Sequence, residues 1–104
     1  MADVQPLRRR IRQFDDLRSI DDETLRQVAM RVHVVDLAYA FMDDEELLKR
    51  LFGAISNGLA HDIKAAIATV KAESERFQSD VAVRTARARV MEIVRETLDA
   101  DEAR

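Results

Sequence analysis

Two histidines, three adjacent aspartate pairs and four scattered serines are the side chains in this chain whose types could support chemistry. The aspartate pairs stand at Asp15-Asp16, Asp21-Asp22 and Asp43-Asp44. Paired carboxylates can share a cation or divide acid and base work between them. Neighbours on a helix, however, project about 100° apart. Each pair also stands where a run of helically spaced apolar residues begins or ends, the place where a carboxylate caps free amides. Capping is therefore the expected role of all three. His33 and His61 fall in different segments, and His61-Asp62 lacks the i, i+4 spacing that sets two metal ligands on one helical face. The chain has no cysteine, which excludes thiolate zinc sites and disulfides. Ser19, Ser56, Ser74 and Ser79 occupy cap or linker positions with no credible base to activate them. No catalytic residue, cofactor or metal is expected, and hence no enzyme and no small-molecule substrate.

The elements that carry these residues read as helices. With 104 residues the chain suits one domain, of a size at which roughly two thirds of the unfolded surface can be buried. Two glycines and one proline leave little material for hairpins, whereas alanine, leucine, arginine and glutamate abound. An all-α fold follows: a single compact bundle of about six short helices, with 1–5 frayed, 6–98 folded and 99–104 an exposed tail. No run of eighteen apolar residues or signal-like segment is present, so the expected protein is soluble and cytoplasmic, with only indirect membrane contact.

Pro6 suits the first position of a helix over about 6–17, with Leu7, Ile11 and Phe14 as its seam. Asp15 and Asp16 stand where they can pair with the arginines before them. Ser19 and Asp22 have capping-box spacing ahead of a helix over 22–32, whose inward positions are Leu25, Val28, Ala29 and Val32. His33 caps a short helix over 34–41, with Leu37, Ala38 and Phe41 inside and Tyr39 at the domain edge. From Asp43-Asp44 to Ile55, the residues Leu47, Leu48, Leu51, Phe52 and Ile55 form the strongest stripe of the chain, which places that helix at the centre of the core. Gly53 within it suggests a close helix crossing. After the breaker Ser56-Asn57-Gly58, a helix over 57–76 turns Leu59, Ile63, Ile67 and Val70 inward. Phe77 then staples a turn, and Ser79 or Asp80 caps a last helix to Leu98, with Val83, Ala86, Val90, Ile93 and Val94 as its seam.

Seventeen basic against twenty acidic residues give a net charge of -3, so the domain as a whole has no bias towards nucleic acid or anionic lipid. Arg8, Arg9, Arg10 and Arg12, joined by Arg84, Arg87 and Arg89, are the local exception. No aromatic side chain stands among the first four to stack a base, and nucleic acid is the weaker alternative.

Phe14-Asp15-Asp16-Leu17, then Ile20-Asp21-Asp22, then Leu25, Val32 and Asp36-Leu37-Ala38-Tyr39-Ala40 resemble the carboxy-terminal helical domain of FliG, the rotor and switch protein of the bacterial flagellar motor. The likeness continues through Leu51-Phe52 and Ile55-Ser56 and returns over 90–95, covering about 7–98. It implies a helical, non-catalytic interaction module of the motor switch, serving motility and chemotaxis. Its protein partners would be rotor or switch components, and its place peripheral at the flagellar basal body. A free-standing adaptor outside the motor is the alternative of the same kind.

The departures are specific. The family's Met-Phe-aliphatic-Phe hinge falls on Ile11, Arg12, Gln13 and Phe14, so only its last aromatic remains. Met42, Gly58, Ala65 and Ala66 stand at or near the positions of the family's stator-facing charges, and none of those charges carries over. The Gly-Pro turn before the family's last helix is missing, and the segment there is longer. The helix over 57–76 is the partner-facing element that the resemblance implies. Its alanines 60, 65, 66 and 68 form a surface of small residues, and Asp62, Lys64 and Lys71 are its candidate partner-binding charges.

Overall fold

A computed structural model of the protein describes residues 11–74 and 80–102. Each helix start in the first half of the chain is fixed by a side-chain acceptor that takes up a free amide, and the three aspartate pairs do this with different members. In the first pair, Asp16 reaches backwards, its Oδ2 accepting from the amides of Arg12 at 2.8 Å and Gln13 at 3.0 Å. In the second, Asp21 caps, accepting from the Thr24 amide at 2.8 Å. In the third it is Asp44, whose Oδ1 accepts from the Leu47 amide at 3.1 Å. His33 and Ser56 complete the series, accepting through Nδ1 and Oγ from the amides of Val35 and Leu59.

The elements so defined are a 3-10 helix, Phe14–Ser19, then α1, Asp22–Arg31, α2, Val34–Phe41, α3, Glu45–Ala54, α4, Asn57–Ser74, and α5, Asp80–Glu102. Together they make an all-α bundle with six helices among the described residues. The short α2 is its centre. It packs against both α4 and α5, while α1 packs against α3 and α5. Leu37, Ala38, Ala40 and Phe41 of α2 are completely buried. Around them one apolar cluster takes in Ile11, Leu17, Leu25, Val28, Leu47, Leu51, Ile63, Val90 and Val94.

Several expectations are corrected. The described part of the helix expected over 6–17 is not α-helical: Gln13 is extended, with φ -135° and ψ 168°, and a 3-10 helix starts at Phe14. Asp16 holds this start, its carboxylate accepting from the amides at 12 and 13. Pro6 and Leu7 lie outside the described residues. Ser19 does not cap α1; buried Ile20 ends the 3-10 helix and the chain enters α1 one residue later, through Asp21.

The helix with the strongest apolar stripe, α3, is not the core's centre. It buries only Leu47 and Leu51, and its Leu48, Phe52 and Ile55 are half-buried. A stripe measures how apolar one face is, whereas a central position needs neighbours on two sides, which α2 has. Gly53 marks no close crossing, since a Cβ built there meets nothing within 4 Å. The last helix continues past Leu98 to Glu102, so Asp99 and Ala100 are exposed but helical. The expected staple at Phe77, the cap at Ser79 and the end of the helix over 75–76 lie outside the described residues.

Two arginines bind the layers together. Arg50 of α3 donates from Nη1 to the carbonyls of Leu17 and Arg18, both at 3.1 Å, and from Nη2 to the Ile20 carbonyl at 2.6 Å and Asp22 Oδ1 at 3.1 Å. Arg87 of α5 donates from Nε to the Ala40 carbonyl at 3.0 Å and lies 4.5 Å from the centre of the Phe14 ring. Phe14 meets Phe41 edge to face, with centroids 5.0 Å apart. The end of the 3-10 helix and the carboxy-terminal end of α2 are thereby satisfied by side chains from helices distant in sequence.

Candidate interaction surface

The buried side of α4 is narrow. Ala60, Ile63, Ile67 and Val70 face the core at spacings of three, four and three, with Leu59 and Ala66 half-buried at the margins. The remainder of the helix is exposed along its length, roughly 27 Å at 1.5 Å per residue. Down the middle of that outer side run Gly58, His61, Ala65, Ala68 and Ala72, all exposed. On a 100° wheel Lys64 and Lys71 fall together on one edge of this strip, and Asp62 and Glu73 on the other. The strip of small residues therefore runs between a basic and an acidic margin.

The three candidate charges, Asp62, Lys64 and Lys71, are all exposed and on α4. The helix does not bring them to one edge: the lysines lie opposite the aspartate. Lys64 is also held from behind, its Nζ standing 5.1 Å from the centre of the Phe52 ring on α3. Among the alanines, Ala65 and Ala68 are exposed, Ala66 is half-buried and Ala60 is buried, so the small residues serve both faces of the helix. Of the positions that match the family's stator-facing charges, Gly58 and Ala65 are on the outer side while Met42 is buried.

The other chemistry-bearing residues are either exposed or tied into the fold. His61 is exposed on α4 and His33 is occupied as a cap. No group of three or more metal-ligating side chains gathers among the described residues. Of the arginines proposed for nucleic acid, Arg87 is tied to Ala40 and Phe14, and Arg89 pairs with Asp36 at 3.2 Å. Arg84 is exposed, and Arg8 to Arg10 lie outside the described residues. Elsewhere, Arg31 reaches Thr97 and Glu96 on α5, and Arg18 reaches Asp44 and Glu46. Among the described residues, most arginines are spent on internal bonds.

Capping also sets the electrostatics. Asp16 and Asp21 are held below the usual carboxylate value, Asp16 by the amides of Arg12 and Gln13 and Asp21 by its bonds from Thr24. Glu23 is lowered by hydrogen bonds from Arg26 and Gln27, and the same contact raises Arg26.

A second surface was not foreseen in the sequence. Between the end of α1, the start of α2 and the α3–α4 junction lies a groove of about 660 Å³, lined by Ala29, Met30, Val32, Val34, Ile55 and Leu59 with Arg26, His33 and Ser56. Met30 stands beside it, 71% exposed. The signal available was that Met30 lies off the seam of α1, on the same side as Arg26.

With α4 outermost and no catalytic grouping in view, the comparison with known families decides the class. The family model described as the FliG C-terminal domain matches residues 2–103. The chain belongs to the FliG C-terminal domain family. Nothing among curated proteins or solved structures matches it. FliG C-terminal domains are helical, non-enzymatic interaction domains whose ligands are other proteins. No helix among the described residues is long and apolar enough to cross a membrane.

Proposed function

We propose that this protein is a non-catalytic docking unit associated with the flagellar motor or its switch, held at the cytoplasmic side of the basal body by protein contacts. The supporting observation is the match to the FliG C-terminal domain over nearly the whole chain. In this reading residues 6–98 act as one unit and α4 is the docking element. Asp62 on the acidic margin and Lys64 and Lys71 on the basic one orient the partner, and the small residues between them allow its backbone to come close. The family's stator-facing charges are absent at Gly58, Ala65 and Ala66, so the partner is a rotor or switch component rather than the stator.

Affinity capture of the tagged chain from its own cells at low and at high salt, with mass spectrometry of what stays bound, tests this. Recovery of rotor or switch components at high salt is expected, because apolar helix docking is little screened. A reproducible set of unrelated proteins without any flagellar component would refute the motor assignment and leave an adaptor that shares the fold. Loss of all bound material, together with steep salt dependence and recovery of nucleic acid, would favour the arginine-based alternative.

A further inference from the structure

We propose that in the free protein the outer side of α4 pairs with the same side of a second copy of this chain, the two helices running parallel about a two-fold axis along their length. The charges of the two margins carry the inference, and their levels along the helix decide the orientation. Lys64 and Lys71 form the basic margin, Asp62 and Glu73 the acidic one, and all four are exposed. A two-fold axis along the helix keeps its direction and exchanges its sides, so the basic margin of each copy lies over the acidic margin of the other. Lys64 then stands two residues from the level of the second copy's Asp62, and Lys71 two residues from the level of its Glu73. Both offsets are about 3 Å at 1.5 Å per residue, within the reach of a lysine side chain. Each of these charges thereby meets an opposite one. A two-fold axis across the helix makes the pair antiparallel and sets basic margin on basic and acidic on acidic, an arrangement that like-charge repulsion disfavours. The helix face is thus complementary to itself in one orientation only, as a closed, isologous pair requires.

The surface between the margins permits the approach. Gly58, Ala65, Ala68 and Ala72 present no more than a methyl group there. Over the second half of the strip the surface is hollowed, with Ala68, Thr69, Ala72 and Glu73 lining an open depression of about 480 Å³. The inference rests on the reading of α4 as the docking element and adds its regulation: the second copy covers the face in the free protein, and a switch partner binds by displacing it.

Sedimentation of the purified full-length chain at rising concentration should show its mass climbing from 11.9 kDa towards twice that value, and less readily at high salt. Lys64→Glu with Lys71→Glu makes both margins acidic, and Asp62→Lys with Glu73→Lys makes both basic. Each double variant alone should stay monomeric with an unchanged circular dichroism spectrum, and an equimolar mixture of the two should recover the dimer. The chain has no cysteine, so His61→Cys and Ala72→Cys, made separately, report the orientation. In the parallel pair each new thiol meets its own copy and links under mild oxidation. In an antiparallel pair centred on the strip the like positions stand about 16 Å apart, too far for a disulfide. A wild-type chain that stays monomeric up to about 1 mM would overturn the proposal, as would dimers undiminished in both double variants. So would a mixture of the double variants that does not associate, or the absence of a disulfide in both cysteine variants. Because these measurements use the chain alone, a monomeric result overturns the self-pairing and leaves the captured partners as they stand. Capture without flagellar components overturns the motor assignment and leaves the self-pairing.

Discussion

Arg50 Nη2 donates to the carbonyl of Ile20 at 2.6 Å, joining α3 to the residue at which the 3-10 helix gives way to α1. The same guanidinium takes the carbonyls of Leu17 and Arg18, so three backbone oxygens at this turn share one side chain. Removing it leaves two part-buried carbonyls, those of Leu17 and Ile20, without that donor. Arg50→Ala should therefore destabilise the protein by about 2–3 kcal/mol, and Arg50→Lys by less, since an ammonium keeps a charged donor although it lacks the planar fork. Urea unfolding followed by circular dichroism measures both. An Arg50→Ala protein as stable as the wild type would show that water replaces the guanidinium without cost.

Arg87, Phe14 and Phe41 form a second joint, with the cation 4.5 Å from the Phe14 ring and the two rings 5.0 Å apart. Phe14→Leu and Arg87→Met should be less than additive, with a coupling of about 0.5–1 kcal/mol in a double-mutant cycle. Strict additivity would mean that Arg87 acts only through its bond to Ala40.

Most of the fold was legible because helical spacing and caps are local. The seams of α1 and α2, the cap at His33 and the inward positions Ile63, Ile67 and Val70 all stand where their spacing places them. What was not legible depended on contacts between distant residues. Asp16 holds the backbone at 12 and 13, and Phe14 beside it packs against Phe41 and Arg87, which nothing within its own segment names. Likewise α3 has the stronger stripe but α2 the central place, because burial on two sides is set by where α4 and α5 return. The outer side of α4 could be read as a surface, whereas the groove at Met30 joins three elements and has no signature within any one of them.

Gly53 gives a prediction of the opposite sign. It lies inside α3, is exposed, and has open space where a Cβ would stand. With no positive φ to relieve, alanine removes backbone entropy from the unfolded chain and costs no contact. Gly53→Ala should stabilise the protein by about 1 kcal/mol and raise Tm by several degrees. A lower Tm would mean that the outer face of α3 is packed against something.

Acid should weaken the protein through its caps. Asp16 and Asp21 bind a proton less readily folded than unfolded, because backbone donors hold the carboxylates charged. Their contribution is thus complete above the unfolded value of 3.8 and is lost as pH falls through the lower folded values. Unfolding free energy should fall as pH drops below about 4. Asp21→Asn, which keeps an acceptor for Thr24 but cannot titrate, should flatten that slope while costing little at pH 7. An unchanged slope in both Asp21→Asn and Asp16→Asn would move the acid sensitivity to other carboxylates.

Charges on α4 separate binding from stability. Asp62 and Lys71 are exposed on opposite margins, and reversing either should change unfolding free energy by no more than about 0.5 kcal/mol. Lys64→Glu removes the cation from the Phe52 ring and should cost about 0.5–1 kcal/mol more. If α4 is the docking element, each reversal slows association with the captured partner at low salt, and the difference from wild type shrinks as salt rises. Because the margins are of opposite sign, reversing both at once, Asp62→Lys with Lys71→Glu, should favour a turned-over partner rather than restore the original complex. Cross-linking from Ala68→Cys, in the strip between the margins, would report that change in orientation. Association rates unaffected by all three single reversals would remove α4 as the docking face and direct attention to the groove at Met30.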